Sequence, residues 1–370
     1  GVCFKLAQAL LQESDLSPVL QEKILRSLLK VVSIGTVGDV VSLATPENRA
    51  IVSIGAEALL DPTMPNKEGL QQLLNVSGVR DIVTSQDMGF KLAPRINAAG
   101  RMADPALVER LLFSNEIETA VTLSRELDAL NTKRKLVQQE MVDGIIEKIP
   151  EDIPSFMVIT GSKEDGFHKG VSGIVAARLR DKFNRPVAVA SGDDFLTGSI
   201  RSIGEVHAVE ALDRCADILL KYGGHPVAAG FSLERKNLVE FERRLNEYVE
   251  QTTDPENLIP VRMCQVKCAL EDISFTSIQH FMKMEPFGKD NHKPLIWISN
   301  VKAHRIETMG KEHAHIRCLL GGFKTLWWGA AEHASWLKGR QVDLLIEPGF
   351  NRYKGRTTVQ LTIVDARESS

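Results

Sequence analysis

Several features are scarce or missing in this chain, and each absence excludes something. No apolar run approaches the ~20 residues that a membrane-crossing helix needs. No basic-then-apolar stretch at the N-terminus marks the chain for export. Contact with a membrane is therefore not expected, and the expected compartment is the cytoplasm. The 370 residues include five cysteines, an odd and scattered set, which fits free thiols in a reducing compartment and not a disulfide framework. Cys264 and Cys268 stand four apart, but no second Cys or His pair has zinc spacing, so they are read as thiols. There is no GxxxxGK[ST] phosphate loop, no GxSxG nucleophile elbow and no HExxH pair. Internal repeats and low-complexity tracts are absent as well.

What remains is the composition of an ordinary globular protein, 43% hydrophobic and 25% charged. A length of 370 residues implies two or three domains. The net charge of −3 hides an asymmetry: residues 301–370 hold eleven Lys/Arg against seven Asp/Glu, net +4, which leaves −7 for residues 1–300. All four tryptophans fall between Trp297 and Trp336. A mildly basic, Trp-rich tail suits a surface that holds phosphates and stacks bases; taken alone, the feature is better read as a small β domain whose Trp residues fill its core.

The hydrophobic pattern divides the chain. "GVCFKLAQALL" reads as the middle of an amphipathic helix with Val2, Leu6, Leu10 and Leu11 on one face, so the protein is expected to start earlier. From Pro105 to about Ile149, apolar residues from Ile117 to Ile145 recur at threes, fours and sevens, which predicts one long helix with the charged "TKRK" on its solvated face. Residues 155–250 alternate strand and helix patterns, the signature of an α/β domain, and "HAVEALDRCADILLKYG" reads as one helix. Beyond "TTDPENLIP" short strands with Gly turns predict a small β-barrel.

Five stretches could carry chemistry. Asp39 in the apolar "GTVGDVV" is costly to bury unless it meets a cation or N–H donors, and hard divalent metals prefer carboxylate oxygens. A turn aspartate capping its own backbone fits as well. "KLAPRINAAGRM", read as a shaped loop, offers Arg95, Asn97 and Arg101 as partners for phosphate or as ties to acidic neighbours. "DGFHKGVSGIVAARL" puts His168 before a helix whose first N–H groups could hold an anion. In "GSIRS", Ser199 and Arg201 are two apart and share a strand face, a pair suited to a terminal phosphate. In "YGGHPVAAGFS", His225 follows two glycines, where it could donate to a phosphoryl oxygen or act as an acid.

Taken in order, these stretches resemble a family. "SIGTVGDVVSL" followed by "ENR" is similar to the fourth motif of the DHH phosphoesterases. "GFKLAPRINAAGRM" resembles the stretch that RecJ-like members carry next, and "FHKGVSGIVAARL", "GSIRS" and "GGHPVAAG" resemble their DHH-associated domain. "MEPFGKDNHKP" and "NRYKGRTTVQLTIVDA" are similar to the RecJ version of the OB-fold, with Pro286, Phe287, Gly288, Asn291 and Pro294 in order. The resemblance implies an α/β fold: the C-terminal part of a DHH domain over 1–104, a connecting helix over 105–150, an α/β DHH-associated domain over 151–252 and an all-β OB-fold domain over 260–370. It also implies a monomeric, metal-dependent 5′→3′ exonuclease acting on single-stranded DNA in DNA repair and recombination, using Mn²⁺ or Mg²⁺. Asp39 would be a metal ligand, Ser199 and Arg201 would anchor the 5′ phosphate, and His225 with His168 would serve catalysis. Arg95, Asn97 and Arg101 would line the strand's path. A single-stranded-DNA-binding protein or a helicase is the expected partner.

Two departures stand out. The first three motifs of the family, including the Asp-His-His triplet, are absent, and one carboxylate cannot hold a catalytic metal pair. Phe167 stands where RecJ proteins often have Trp. A non-catalytic DNA-binding relative and a DHH phosphodiesterase for short oligonucleotides remain as alternatives. Deleting residues 260–370 is expected to weaken binding to long strands and spare the chemistry.

Overall fold

Helices make up the first 150 residues of the computed structural model, which describes residues 1–353 and 355–369; Lys354 of the "NRYKGR" turn lies outside the described residues. The chain forms two units interleaved in sequence. One gathers residues 1–64, 81–89 and 262–370, the other 65–80 and 90–261.

In the first unit, α1 (Val2–Gln12), α2 (Pro18–Gly38) and α3 (Pro46–Leu59) pack around Phe4, Leu29 and Ile51. Two of these helices start where the sequence places a cap followed by proline. The Ser17 side chain accepts from the N–H of Leu20 and that of Thr45 from Asn48, with Pro18 and Pro46 pre-set for the first turn. α4 (Glu68–Val76) belongs to the second unit, and the one-turn α5 (Ser85–Asp87) returns to the first.

A π-turn over Met88–Leu92 leads into α6 (Ala93–Met102), followed by α7 (Ala106–Phe113) and the 30-residue α8 (Ile117–Ile146). α8 serves two cores. Its first half buries Ala120, Leu123 and Leu127 and packs with α4, α6 and α7; its second half gives Met141, Val142 and Ile145 to the sheet that follows.

That sheet is built from β1 (Met157–Gly161), α9 (Ser172–Phe183), β2 (Val187–Ser191), β3 (Phe195–Arg201), α10 (Ala208–Asp213), β4 (Leu219–His225), β5 (Ala228–Glu234) and α11 (Leu238–Thr252). The strand order is β1-β2-β3-β5-β4, with β1 and β2 parallel and the other pairs antiparallel. Alternation along β2 shows why it is apolar throughout. Val187 and Val189 face α8 and α9, while Ala188 and Ala190 face Phe231, Phe241 and Leu245 under α10 and α11. A fully buried Leu or Phe in such a layer contributes about 1.5–3 kcal/mol.

Residues 262–370 fold as β6 (Val266–Lys267), α12 (Phe275–Phe281), β7 (Ile296–Lys302), β8 (His304–Met309), β9 (His315–Leu320), β10 (Phe323–Trp327), α13 (Ala334–Leu337), β11 (Gln341–Tyr353) and β12 (Arg356–Glu368). The order β6-β7-β11-β12-β10-β9-β8 encloses a core that includes Ile298, Ile316, Leu344 and Leu361. The loop carrying Pro286 to Asn291 is tied back to the helical part of this same unit. The N–H of Leu43 donates to Lys289 O (2.7 Å), Ser85 Oγ to Phe287 O (2.6 Å) and Arg49 Nη2 to Met284 O (2.8 Å).

The structure corrects four local readings. "KLAPRINAAGRM" is helical and not a loop: its buried face is Ala93, Ala98 and Ala99, small residues that leave no large-apolar period, and Pro94 sits in the first turn. The long helix over 105–149 is broken by Ser114–Glu116 into α7 and α8. "HAVEALDRCADILLKYG" is α10 followed by β4, because pairing of β4 with β5 overrides its helical pattern. Asp39 is not buried: α2 ends at Gly38, and Asp39 follows as an exposed C-terminal cap.

Candidate functional site

The candidate site lies within the second unit, on the sheet face that α9 covers only in part. Residues in register form rows across the strands. Val187, Arg201, Ala228 and His225 make one row, and Val189, Ser199, Gly230 and Gly223 the next. Opposed residues of antiparallel strands point to the same side. The two valines are buried under α9. Beyond them the rows continue as Ser199 and Arg201, then a floor of Ala228, Gly230 and Gly223, then the exposed His225. Gly224 keeps the hairpin before His225 tight: its φ is +154°, and a Cβ there would come within 2.4 Å of Ala228 O.

The first turn of α9 is the wall of this bay. A Cβ on Gly173 would stand 2.8 Å from Nη2 of Arg201 and 3.4 Å from Oγ of Ser199, so the glycine leaves the tip of Arg201 room against the helix. Val171 precedes the helix without a side-chain cap. The N–H groups of Ser172 and Gly173 find no acceptor among the described residues, which leaves the positive end of a 12-residue helix open.

Three guanidiniums gather here. Arg101, in the last turn of α6, donates from Nη1 to Gly170 O (3.3 Å). Arg201 donates from Nη1 to Ile200 O (2.8 Å). Arg134 of α8 donates to Asn131 Oδ1 (2.9 Å) and Gln138 Oε1 (3.0 Å), while its Nε is buried without a partner. Burial is the first cause that lowers all three below the ordinary guanidinium pKa; the charge of Arg101 adds to it for Arg134 and Arg201, and that of Arg180 for Arg201. No carboxylate opposes these shifts, and among the described residues none of the three has an ion pair. Half-buried cations without a counter-ion fit an anion as their partner. Arg134 was hidden in the "TKRK" run. Nothing in that run sets it apart, and the structure places it partly buried on α8.

The other sequence candidates divide. His168 is half-buried, and its Nδ1 accepts from the N–H of Gly170 (3.1 Å) while its carbonyl accepts from Ser172 Oγ (3.3 Å). It therefore shapes the loop entering α9 and keeps its proton on Nε2 when neutral. His225 lies two strands from Arg201, about 9–10 Å at the usual strand spacing. Asn97 is exposed on α6, one turn before Arg101. Arg95 is a strut: it donates to Asp128 Oδ1 (2.8 Å), Lys91 O (2.7 Å) and Val76 O (3.2 Å), joining α4, α6 and α8. Its guanidinium is spent inside the unit, against the expectation that it lines a strand's path.

In the first unit, Asp39 stands exposed at a helix end, and among the described residues no group of three or more His, Cys, Asp or Glu could hold a metal ion. Mn²⁺ and Mg²⁺ take about six oxygen ligands, so these residues by themselves do not fit a metal centre. Three of the four tryptophans are covered. Trp327 is buried and stacks on His333 (5.0 Å), Trp336 meets the same ring edge-on (6.4 Å), and Trp297 lies under the Arg367 guanidinium (4.4 Å). Trp328 is 54% exposed and meets His315 edge-on at 4.9 Å.

Two family models match the chain, the DHHA1 domain over residues 154–251 and the RecJ OB domain over residues 264–365. The single-stranded-DNA-specific exonuclease RecJ of Bacillus subtilis is 34% identical over 100% of this chain and 46% of that protein, and the RecJ of Escherichia coli is 31% identical over 92% and 61%. The chain belongs to the RecJ family. A crystal structure of RecJ from Thermus thermophilus in complex with Mn²⁺ matches with a TM-score of 0.78 at 26% identity, covering 93% of this chain and 50% of that one. The chain spans about half to three-fifths of the length of these RecJ relatives and corresponds to their C-terminal part. Within this RecJ-family chain, the bay of Ser199, Arg201 and His225 falls in the stretch matched by the DHHA1 domain, and Trp328 in that matched by the RecJ OB domain.

Proposed function

We propose that this chain is the phosphate-holding and strand-gripping part of an exonuclease that digests single-stranded DNA from a 5′ end. The observation that carries the reading is the pair Arg101 and Arg201 at the open N-terminus of α9, with Arg134 near enough for its charge to interact with Arg101, all three without counter-ions among the described residues. A terminal phosphate carries up to two negative charges and a phosphodiester one, so a site with three cations and free helix N–H groups favours a strand end. Ser199 Oγ and Arg201 hold the phosphate from the strand side, and the N–H groups of Ser172 and Gly173 hold it from the helix side. The small floor residues let the sugar–phosphate backbone lie against the sheet, and no base edge is read, so binding is independent of sequence. His225, on the far side of the floor, donates to the next phosphoryl group along the strand.

In the OB-fold domain, Trp328 stacks a base while the basic residues of 301–370 hold the backbone. The relatives solved with Mn²⁺ and Mg²⁺ point to a metal-dependent hydrolysis; Asp39 alone does not hold such an ion. This reading sets the enzyme in cytoplasmic DNA repair and recombination, as a monomer supplied with single strands by a helicase or a single-stranded-DNA-binding protein.

The test is the affinity of the chain for oligothymidylates with and without a 5′ phosphate. A preference of about tenfold for the phosphorylated end is expected, about 1.4 kcal/mol for one charge-assisted contact set, and Arg201→Ala should erase it. Equal affinity for the two ends in the unmodified chain overturns the assignment. A phosphodiesterase of short oligonucleotides is distinguished by length: affinity that stops rising beyond a few nucleotides, with a shallow salt slope, favours it.

A further inference from the structure

Away from the anion bay, the opposite edge of the same sheet carries a second surface that the proposed activity does not use. β1 is an edge strand, and its hydrogen bonds to β2 are made by Met157, Ile159 and Gly161. The alternating positions 156, 158, 160 and 162 therefore turn their backbone groups outward. The two ends of this outward row are closed by side chains. The amide of Asn246, from α11, accepts from the N–H of Phe156 (2.9 Å) and donates to its carbonyl (3.1 Å), as a neighbouring strand would. At the other end the carboxylate of Asp165 accepts from the N–H of Ser162 (2.8 Å).

Between these plugs, the N–H and C=O groups of Val158 and Thr160 have no partner among the described residues. They open into a cleft of about 720 Å³ between α8 and α11. Of the charged residues that line it, Glu140, Asp165 and Glu242 are acidic and Lys148 is the one base. Glu140 and Glu242 are exposed and have no ion pair among the described residues.

We propose that this cleft is a docking site for a short extended peptide with basic side chains, added as a strand to β1. The backbone groups of Val158 and Thr160 supply up to four main-chain hydrogen bonds, the mode by which exposed sheet edges capture peptides. Asn246 and Asp165 limit the pairing to this window and keep β1 from open-ended association with other edges. Glu140 and Glu242 select Lys or Arg on the incoming strand and repel nucleic acid, so the partner is a protein segment and not the DNA bound elsewhere on the chain.

The probe is a fluorescein-labelled octapeptide of alternating Lys and Val, titrated with the full chain and followed by anisotropy. Its Glu/Val counterpart and a version N-methylated along one edge serve as controls. The Lys/Val peptide should bind, the two controls at least about tenfold more weakly. Thr160→Pro removes an outward N–H and should abolish binding. Because that change can disturb β1, the exposed pair E140K/E242K is the second variant and should weaken binding by a similar factor while leaving affinity for phosphorylated oligothymidylate unchanged. The proposal is overturned if the N-methylated peptide binds as well as the parent, if E140K/E242K leaves affinity intact, if no peptide binds, or if oligothymidylate competes the peptide away.

Discussion

Arg95 and Arg101 stand six residues apart on one helix and do opposite work. Arg95 gives its donors to Asp128 and two carbonyls, whereas Arg101 keeps an uncompensated charge beside Gly170. Arg95→Ala should therefore lower stability by about 1–3 kcal/mol, read from a chemical denaturation curve, with the preference for a 5′ phosphate unchanged. Gly173→Ala should do the reverse. Its Cβ would press on the tip of Arg201, a flexible group that can give way, so the fold should persist while the discrimination between phosphorylated and unphosphorylated ends falls; a variant that keeps full discrimination would count against the close approach as the basis of the site. Ser199, Arg201 and His225 stand out as candidates in the sequence because glycines and a strand pattern surround them. Arg134 could not, since a cation in a charged run shows nothing of which way its helix turns.

At the scale of elements, the strands of the sheet were legible where both faces are buried, as in "RPVAVASG", and illegible where pairing decides. Leu219 to Gly223 read as the end of a helix because only pairing with β5 makes this segment a strand. The poly-alanine face of α6 had the same effect in reverse: small buried residues leave no amphipathic signal. In the barrel, Trp297, Trp327 and Trp336 are covered by neighbours, while Trp328, just past the end of β10, touches His315 edge-on and leaves more than half of its surface exposed. Trp328→Ala should weaken binding of a long oligothymidylate by about 1–3 kcal/mol, the worth of one stacked base, with no change in binding of a phosphorylated dinucleotide. An equal loss for both lengths would move Trp328 out of the strand's path.

At the scale of the whole molecule, the sequence reads residues 260–370 as an OB-fold domain, and in the structure this segment shares one unit with residues 1–64 and 81–89. Leu43 and Arg49, on either side of the α3 cap, and Ser85 are all held by the loop from Met284 to Lys289. A chain ending at residue 261 should keep the α/β sheet and its phosphate preference, yet expose α1 to α3 to limited proteolysis. Resistance of that region in the truncated chain would show that the helices stand alone. The motif "MEPFGKDNHKP" is thus a fastening within the unit, a role that sequence spacing cannot disclose because its partners lie more than 200 residues away.

The rows that set Arg201, Ala228 and His225 side by side exist only in one strand register. Losing or gaining a single residue inside β5 would turn half of each row to the opposite face. Related genes can then be expected to vary in length between β3 and β4, where the chain passes through α10, and hardly at all between Ala228 and Glu234. The bay is inherited as a reading frame of the backbone as much as a set of side chains.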